Sequence, residues 1–464
     1  MRLLLAELRD SWRAWAGVSL TMLVTTFCIT LSALVTANAA TLKAQYRLDE
    51  MEAMAYLMTG GVNLVICCLV GMATIGAAVG LVVNSRRGSI ARLALAGATP
   101  GQLVGNLLGQ LSLVVLLCSL LGSLGAMAAY GPTVRAVEKD RGSPFPLLPA
   151  DLGALGWATL LCVAVAVLGG LRQARRASII PPVEALRQAQ GGTRESRGIV
   201  RWILFVLLLV TIVGAWQGSI GALRANPEEA KQFVLQVPVL ILPLTGMLFV
   251  AGRDLFMNGL TRLWTALLPG RSATWHLARH TALGKGERLA KSIIPAMFTI
   301  GLTIGMVAVG ASMNASLRAS AAGFELDNSG ISTILVTMGL PLAVALSGSV
   351  ATLVMMSSQR EAELALDGII GATPTQQASV PMLEGLIISV TALVLATLMT
   401  GASLLYMAQA YPLVFPTFVL EIPWASLTGV LAVTTAVIVA AITVPILGSL
   451  RVPPNRVVAR LVAE

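Results

Sequence analysis

Arg86 to Pro100 reads Arg-Arg-Gly-Ser-Ile-Ala-Arg-Leu-Ala-Leu-Ala-Gly-Ala-Thr-Pro, and Arg360 to Pro374 reads Arg-Glu-Ala-Glu-Leu-Ala-Leu-Asp-Gly-Ile-Ile-Gly-Ala-Thr-Pro. Aligned on Gly-Ala-Thr-Pro, the copies share their opening arginines, Arg86 and Arg360, and a glutamine just past the proline, Gln102 and Gln376. A polar residue thirteen places beyond the glycine also recurs, as Gln110 and Glu384. Each copy is a short charged segment between two long apolar runs. The pattern is that of a membrane protein with one element used twice.

Composition points the same way. The chain has 464 residues, of which 56% are apolar and 12% charged, with a mean hydropathy of +0.82; a soluble globular protein carries about twice that share of charge. Apolar runs of bilayer-spanning length fall at 16–36, 58–83, 103–130, 152–170, 202–221, 233–251, 293–311, 331–356, 379–404 and 425–448. Met1 to Arg13 alternates arginines with Leu4, Leu5, Leu8 and Trp12 as an interfacial helix does. Ala37-Asn38-Ala39 has the small-residue pattern of a signal-peptidase site. The run before it is longer than a signal core of ~7–15 residues, and cleavage would delete a helix that the second copy has, so the first span is expected to be retained.

The net charge of +10 could mark a nucleic-acid binder, so its distribution has to decide. With a cytoplasmic N-terminus and ten spans, 24 of the 32 basic residues fall on the inner side. That asymmetry is the positive-inside signature. It predicts cytoplasmic termini, places both Gly-Ala-Thr-Pro segments on the cytoplasmic side and leaves no call for nucleic acid. The five cysteines all lie within apolar runs, without the spacing of a metal site or a disulfide frame, and read as packing residues.

The duplicated segment resembles the hallmark of the FtsX-like permease family, R-x-x-E-[IL]-x-x-L-R-x-x-G-A-[ST]-x-x-Q with a glutamate in the next helix. The second copy matches at Arg360, Glu363, Leu364, Gly371, Ala372, Thr373, Gln376 and Glu384; the first matches at Arg86, Ile90, Gly97, Ala98, Thr99 and Gln102. The first departs at Ser89 and Gln110, where the family has glutamates, and both lack the second arginine, carrying Ala94 and Gly368. A third similar stretch, Ala174-Arg175-Arg176-Ala177 followed by Pro182 to Arg187, is like the family's basic tail. The resemblance covers most of residues 1–190 and 275–464.

What the resemblance implies is an all-α polytopic protein of ten transmembrane helices. Residues 1–190 and 271–464 would be two four-helix repeats joined by a two-helix linker at 191–270. It resembles the ten-helix, BceB-like form, except that the stretches holding large outer domains in the MacB and BceB kinds are here only Ala37 to Leu57 and Ser312 to Gly330. Arg86, Arg87, Arg92 and Gly97, with Arg360, Glu361, Glu363 and Gly371, correspond to coupling helices that dock on an ATP-binding subunit, expected in two copies. The implied function is an ABC transporter permease in a bacterial cytoplasmic membrane, exporting or extracting an amphiphile such as an antimicrobial peptide, lipid or lipoprotein. The alternative is a signalling subunit acting on an extracytoplasmic partner. ATP and magnesium would be bound by the partner, with no cofactor in this chain.

The residues agree that hydrolysis lies elsewhere. Gly284-Lys285-Gly286 lacks the upstream glycine and the Ser or Thr of a phosphate-binding loop, and no Ser, His and Asp group as a triad. His276 and His280 stand four apart but read as part of an interfacial helix without a third ligand. Glu384 is the anomaly, because a carboxylate within a span costs about 2.5–3.5 kcal/mol on insertion scales. Either it makes an inter-helix contact that moves during the cycle or it snorkels to the cytoplasmic surface. Gly101, Gly105 and Gly109, with Gly76 and Gly80, are spaced for close helix packing.

Overall fold

The computed structural model describes residues 12–45, 50–85, 97–141, 145–178, 199–268, 272–284, 286–320, 339–352, 355, 371–415, 417–422 and isolated positions between 424 and 440. Helices α1 (Trp12–Ala44), α2 (Glu50–Ser85), α3 (Pro100–Arg141) and α4 (Leu152–Ser178) make up the first half. A hairpin follows, α5 (Ile199–Ala225) and α6 (Pro227–Ala251), ending in a π-helical turn at Asp254–Gly259. Two short helices, α7 (Leu260–Leu267) and α8 (Ala273–Gly284), lead to α9 (Gly286–Ser320), α10 (Gly339–Thr352) and α11 (Pro374–Ala410). No strand occurs among the described residues. An all-helical answer is what lipid demands, because a helix satisfies its backbone groups within one segment.

Eight helices are long and apolar enough to cross a bilayer: α1 to α6, α9 and α11. The expected span at 331–356 is described chiefly as α10, and that at 425–448 lies largely outside the described residues. Several helices exceed a bilayer's needs. At ~1.5 Å per residue, the 42 residues of α3 reach about 63 Å, twice a ~30 Å hydrocarbon core. Their far ends meet in a cluster of Leu34, Leu42, Tyr56, Tyr130 and Phe145, with the Tyr56 and Phe145 rings stacked at 4.3 Å.

Packing order follows from shape rather than apolarity, since lipid chains are as apolar as leucine. In the first half α1 touches α2, α3 and α4. Gly122 of α3 lies so close to α1 that a Cβ there would come within 2.1 Å of Thr26 Oγ1 and 3.0 Å of the Leu23 carbonyl. The Thr26 hydroxyl uses that approach to donate to the Cys118 carbonyl at 3.1 Å. In the second half α9 packs on α11 in the same way, but the glycine has changed sides: a Cβ at Gly301 of α9 would come within 3.5 Å of the Ala396 Cα.

Gly371 follows Gly97 by 274 residues, and that offset runs through the tertiary contacts. It carries Gly122 onto Ala396 and Phe27 onto Gly301. It also carries Thr74 of α2 onto Gly348 of α10, and these two touch each other, a Cβ at Gly348 falling 2.6 Å from the Thr74 side chain. Gly17 of α1 lies against Met355 and the Ala351 carbonyl, while its counterpart Lys291 of α9 reaches the Gly80 carbonyl at 3.2 Å. Contacts exchanged in this reciprocal manner describe two similar halves facing one another about an axis near Thr74 and Gly348. The hairpin is not peripheral to them: α6 packs on α2, α9 and α11, whereas α5 leans on α6 and exposes Trp202, Ile203, Val206, Leu207 and Val210.

The glycine spacing has a mixed outcome. Gly76 does pack closely on α4, where a Cβ would come within 3.2 Å of the Gly169 carbonyl, but Gly101 and Gly105 face open space.

Candidate functional site

Both Gly-Ala-Thr-Pro copies fold into the same turn. Gly97 has φ of +93° and Gly371 of +102°, left-handed conformations that a Cβ disfavours. Thr373 is extended, with φ −68° and ψ 154°, and proline takes the first helical position, where its missing N–H is one the helix would not use. Thr373 Oγ1 accepts from the Gln376 amide at 3.3 Å, and Gln376 Oε1 accepts from the Thr373 amide at 3.0 Å. Thr99 and Gln102 repeat the exchange at 3.4 and 2.9 Å. This is a capping box, in which two amides otherwise left over at a helix start are satisfied reciprocally. The recurrence of Gly, Thr, Pro and Gln in sequence therefore has a local cause: it starts α3 and α11 with the same left-handed glycine and the same capping box.

The charged residues before each turn, Arg86, Arg87, Arg92, Arg360, Glu361 and Glu363, lie outside the described residues. What is described is their mounting. Each segment is followed by its capped turn and then by a long helix, α3 or α11.

Gln110 and Glu384 each sit ten residues past the proline, about 15 Å along their helices. Gln110 is buried and donates from Nε2 to Asn106 Oδ1 at 3.3 Å, one turn back on α3. The counterpart of Asn106 is Val380, so that along-helix contact has no equivalent for Glu384, which is half-buried. The two halves thus share a polar position but not its environment.

Lys291 is a residue the sequence reading passed over, counting it only as an inner-side charge. It is among the largest fully buried side chains, and its ammonium bonds the α2 backbone across the contact between the halves. An isolated buried ammonium is costly, so a donor–acceptor contact of this kind is what permits it. Alignment at the 274-residue offset was the available signal, since it sets Lys291 against Gly17.

The ends of the halves remote from the turns carry a second matched pair. Asn38 Oδ1 accepts from the Leu148 amide at 3.3 Å and its Nδ2 donates to the Pro146 carbonyl at 3.3 Å, holding the α3–α4 connection against α1. The offset carries Asn38 onto Ser312, whose hydroxyl donates to the Glu421 carbonyl at 3.0 Å and accepts from its amide at 3.3 Å. Ser316 does the same for Val419, at 3.3 and 3.1 Å, and Ser320 donates to the Thr417 carbonyl at 3.4 Å. In both halves the chain leaving the long third helix is bonded down onto the first.

His276 and His280 are both exposed on α8, and no group of three His, Cys, Asp or Glu residues able to hold a metal occurs among the described residues. Four of the five cysteines are buried and the fifth half-buried. The model of the family described as FtsX-like permease C-terminal matches residues 61–182, which run from α2 through the first capped turn and α3 to just past α4. No curated protein matches the chain.

Proposed function

We propose, from the premise that this chain carries an FtsX-like permease domain at residues 61–182, that it is the transmembrane subunit on which two copies of an ABC ATPase act. An FtsX-like permease is the membrane component of an ABC-type system, and the chain is a multi-pass membrane protein. The finer reading rests on one observation. The turn that opens α3 is repeated at the start of α11 with the same left-handed glycine and the same capping box, in halves that exchange reciprocal contacts. Two equivalent mounts on one chain suit a pair of identical motor subunits.

On this reading residues 1–190 and 271–464 are the two repeats and 191–270 is the joining pair of helices. Arg86, Arg87 and Arg92 dock on one ATPase, and Arg360, Glu361 and Glu363 on the other. ATP and magnesium are bound by the ATPases. Closure of the ATPase pair tilts α3 and α11 about the Thr74–Gly348 contact, and the work is spent on exporting or extracting an amphiphile. Connections bonded down by Asn38 and Ser312 leave the helices and the surrounding leaflet as the surfaces the cargo meets. Both termini and both turns lie on the cytoplasmic side.

The experiment is co-expression with an ABC ATPase, purification of the full chain and native mass spectrometry. Two ATPases per chain, with hydrolysis stimulated by an amphiphile after reconstitution, is the expected result. Two ATPases without stimulation by any amphiphile would favour the signalling reading, and cargo movement driven by an ion gradient without an ATPase would overturn both. Single cysteines at Ser89 and Thr375 should label from the cytoplasmic side and one at Lys139 from outside.

A further inference from the structure

At the end of the bundle that carries the two turns, the start of α5 and the π-helical turn after α6 enclose a groove of about 370 Å³, within the range of small-molecule sites. Its walls are Trp202 and Phe205 on one side and Leu255 on the other. The Trp202 and Phe205 rings meet edge to face at 5.7 Å, and Phe205 stacks on Phe256 at 6.2 Å, so the apolar wall is rigid. Trp202 and Leu255 are more than half exposed, and the next turns of α5 present Val206, Leu209 and Val210 to the surroundings. The groove therefore opens toward lipid chains.

Its polar part is an ion pair between the Arg201 guanidinium and Asp254 Oδ2. The two partners are unequally placed: the Arg201 side chain is 7% exposed and that of Asp254 is 50% exposed. A carboxylate has two oxygens and about four acceptor sites, and no donor among the described residues is bonded to Asp254 Oδ1. A cation buried at the back, a carboxylate edge at the mouth and an aromatic wall running into the hydrocarbon form an amphipathic site with both signs of charge.

We propose that this groove binds a phospholipid of the adjacent leaflet, selectively one whose head group carries a primary ammonium, as phosphatidylethanolamine does. The head-group phosphate lies toward Arg201, the ammonium donates to Asp254, and the first part of an acyl chain runs along Trp202, Phe205 and Leu255. An ammonium with three N–H groups meets the carboxylate with charge-assisted hydrogen bonds, which a quaternary choline has no proton to make. An anionic head group without an amine would set negative charge against Asp254. The site does not depend on the ATPase, so its test is separate from that of the transport reading.

The full-length chain is released from micelles containing equimolar phosphatidylethanolamine, phosphatidylcholine and phosphatidylglycerol of matched chains, and retained lipid is read by native mass spectrometry. The wild type should retain the ethanolamine lipid roughly tenfold over the choline lipid, the worth of a hydrogen bond to a charged group. Asp254→Asn keeps the shape and the bond to Arg201 but removes the charge, and should bring that preference to within about twofold. Leu255→Trp fills the groove from an exposed position and should abolish selective retention without disturbing the ion pair. Equal retention of the ethanolamine and choline lipids by the wild type overturns the proposal, as does preference for the glycerol lipid. An undiminished ethanolamine preference in either variant does the same. Should Asp254→Asn fail to purify as a monodisperse species, Leu255→Trp decides.

Discussion

Thr373 and Gln376 show how much of a recurring motif is backbone chemistry. Each side chain satisfies the other's amide, and Gly371 supplies the left-handed residue that lets the chain enter α11. Thr373→Val should cost about 1 kcal/mol at the helix start. Gly371→Ala should cost at least as much, because alanine is strained at positive φ. Both losses should appear as a lower melting temperature with normal membrane insertion, and Thr99→Val should match Thr373→Val to within a factor of two if the two turns are equivalent. Glu384 calls for a different measurement. If its carboxylate takes part in a contact that moves during the cycle, Glu384→Gln removes an interaction of about 1.5–3 kcal/mol; substrate-stimulated ATPase of the reconstituted complex should then fall roughly tenfold with unchanged expression. Wild-type stimulation in that variant would leave Glu384 as a boundary residue that reaches the surface.

Among the elements, the seryl face of α9 is the least expected. Four helical residues advance ~6.0 Å and two extended residues ~6.6 Å, so hydroxyls at 312, 316 and 320 meet every second residue of the antiparallel segment 421, 419, 417. The hydroxyl-to-carbonyl distances are 3.0, 3.3 and 3.4 Å, and the Ser316 and Ser320 hydroxyls also reach the carbonyls one turn back on α9, those of Ser312 and Ser316, at 2.8 and 2.7 Å. Each bond contributes about 1 kcal/mol. The double variant Ser312→Ala with Ser316→Ala should accordingly raise amide exchange at Val419 and Glu421 at least tenfold while leaving α9 itself protected. Hydrogen exchange read by mass spectrometry checks it. An unchanged rate would mean that the segment is held by packing and not by its hydroxyl contacts.

For the whole molecule, the consequence to test is the reciprocal arrangement of the halves. Thr74 and Gly348 occupy equivalent positions and touch, which places them where an axis relating the halves would pass. In a background with the five native cysteines replaced, Thr74→Cys with Gly348→Cys should cross-link within one chain under mild oxidation. Gly17→Cys with Thr74→Cys, both in the first half, should not. If motion about this contact accompanies the cycle, the cross-link should also abolish stimulated ATPase, and reduction should restore it. Efficient cross-linking with full activity would move the pivot elsewhere.

The class of protein, the position of eight described spans and the duplicated turn were all legible in the residues. Length, hydropathy, proline and glycine act locally, and local effects survive translation into pattern. The role of each helix was not legible. Arg201–Ala225 and Phe233–Ala251 have the same mean hydropathy, 2.2, yet the apolar core of the first is 22% buried and that of the second 67%. In water the two would differ in sequence, because a face turned to solvent must be polar. In a bilayer the face turned to lipid and the face turned to protein are equally apolar. What separates them is shape, a glycine meeting a backbone or a threonine reaching a neighbour's carbonyl, and shape is set by residues hundreds of positions apart. The same reason hid Lys291 and the pairing of Asn38 with Ser312, whose meaning appears once α1 and α9 are laid against their partners.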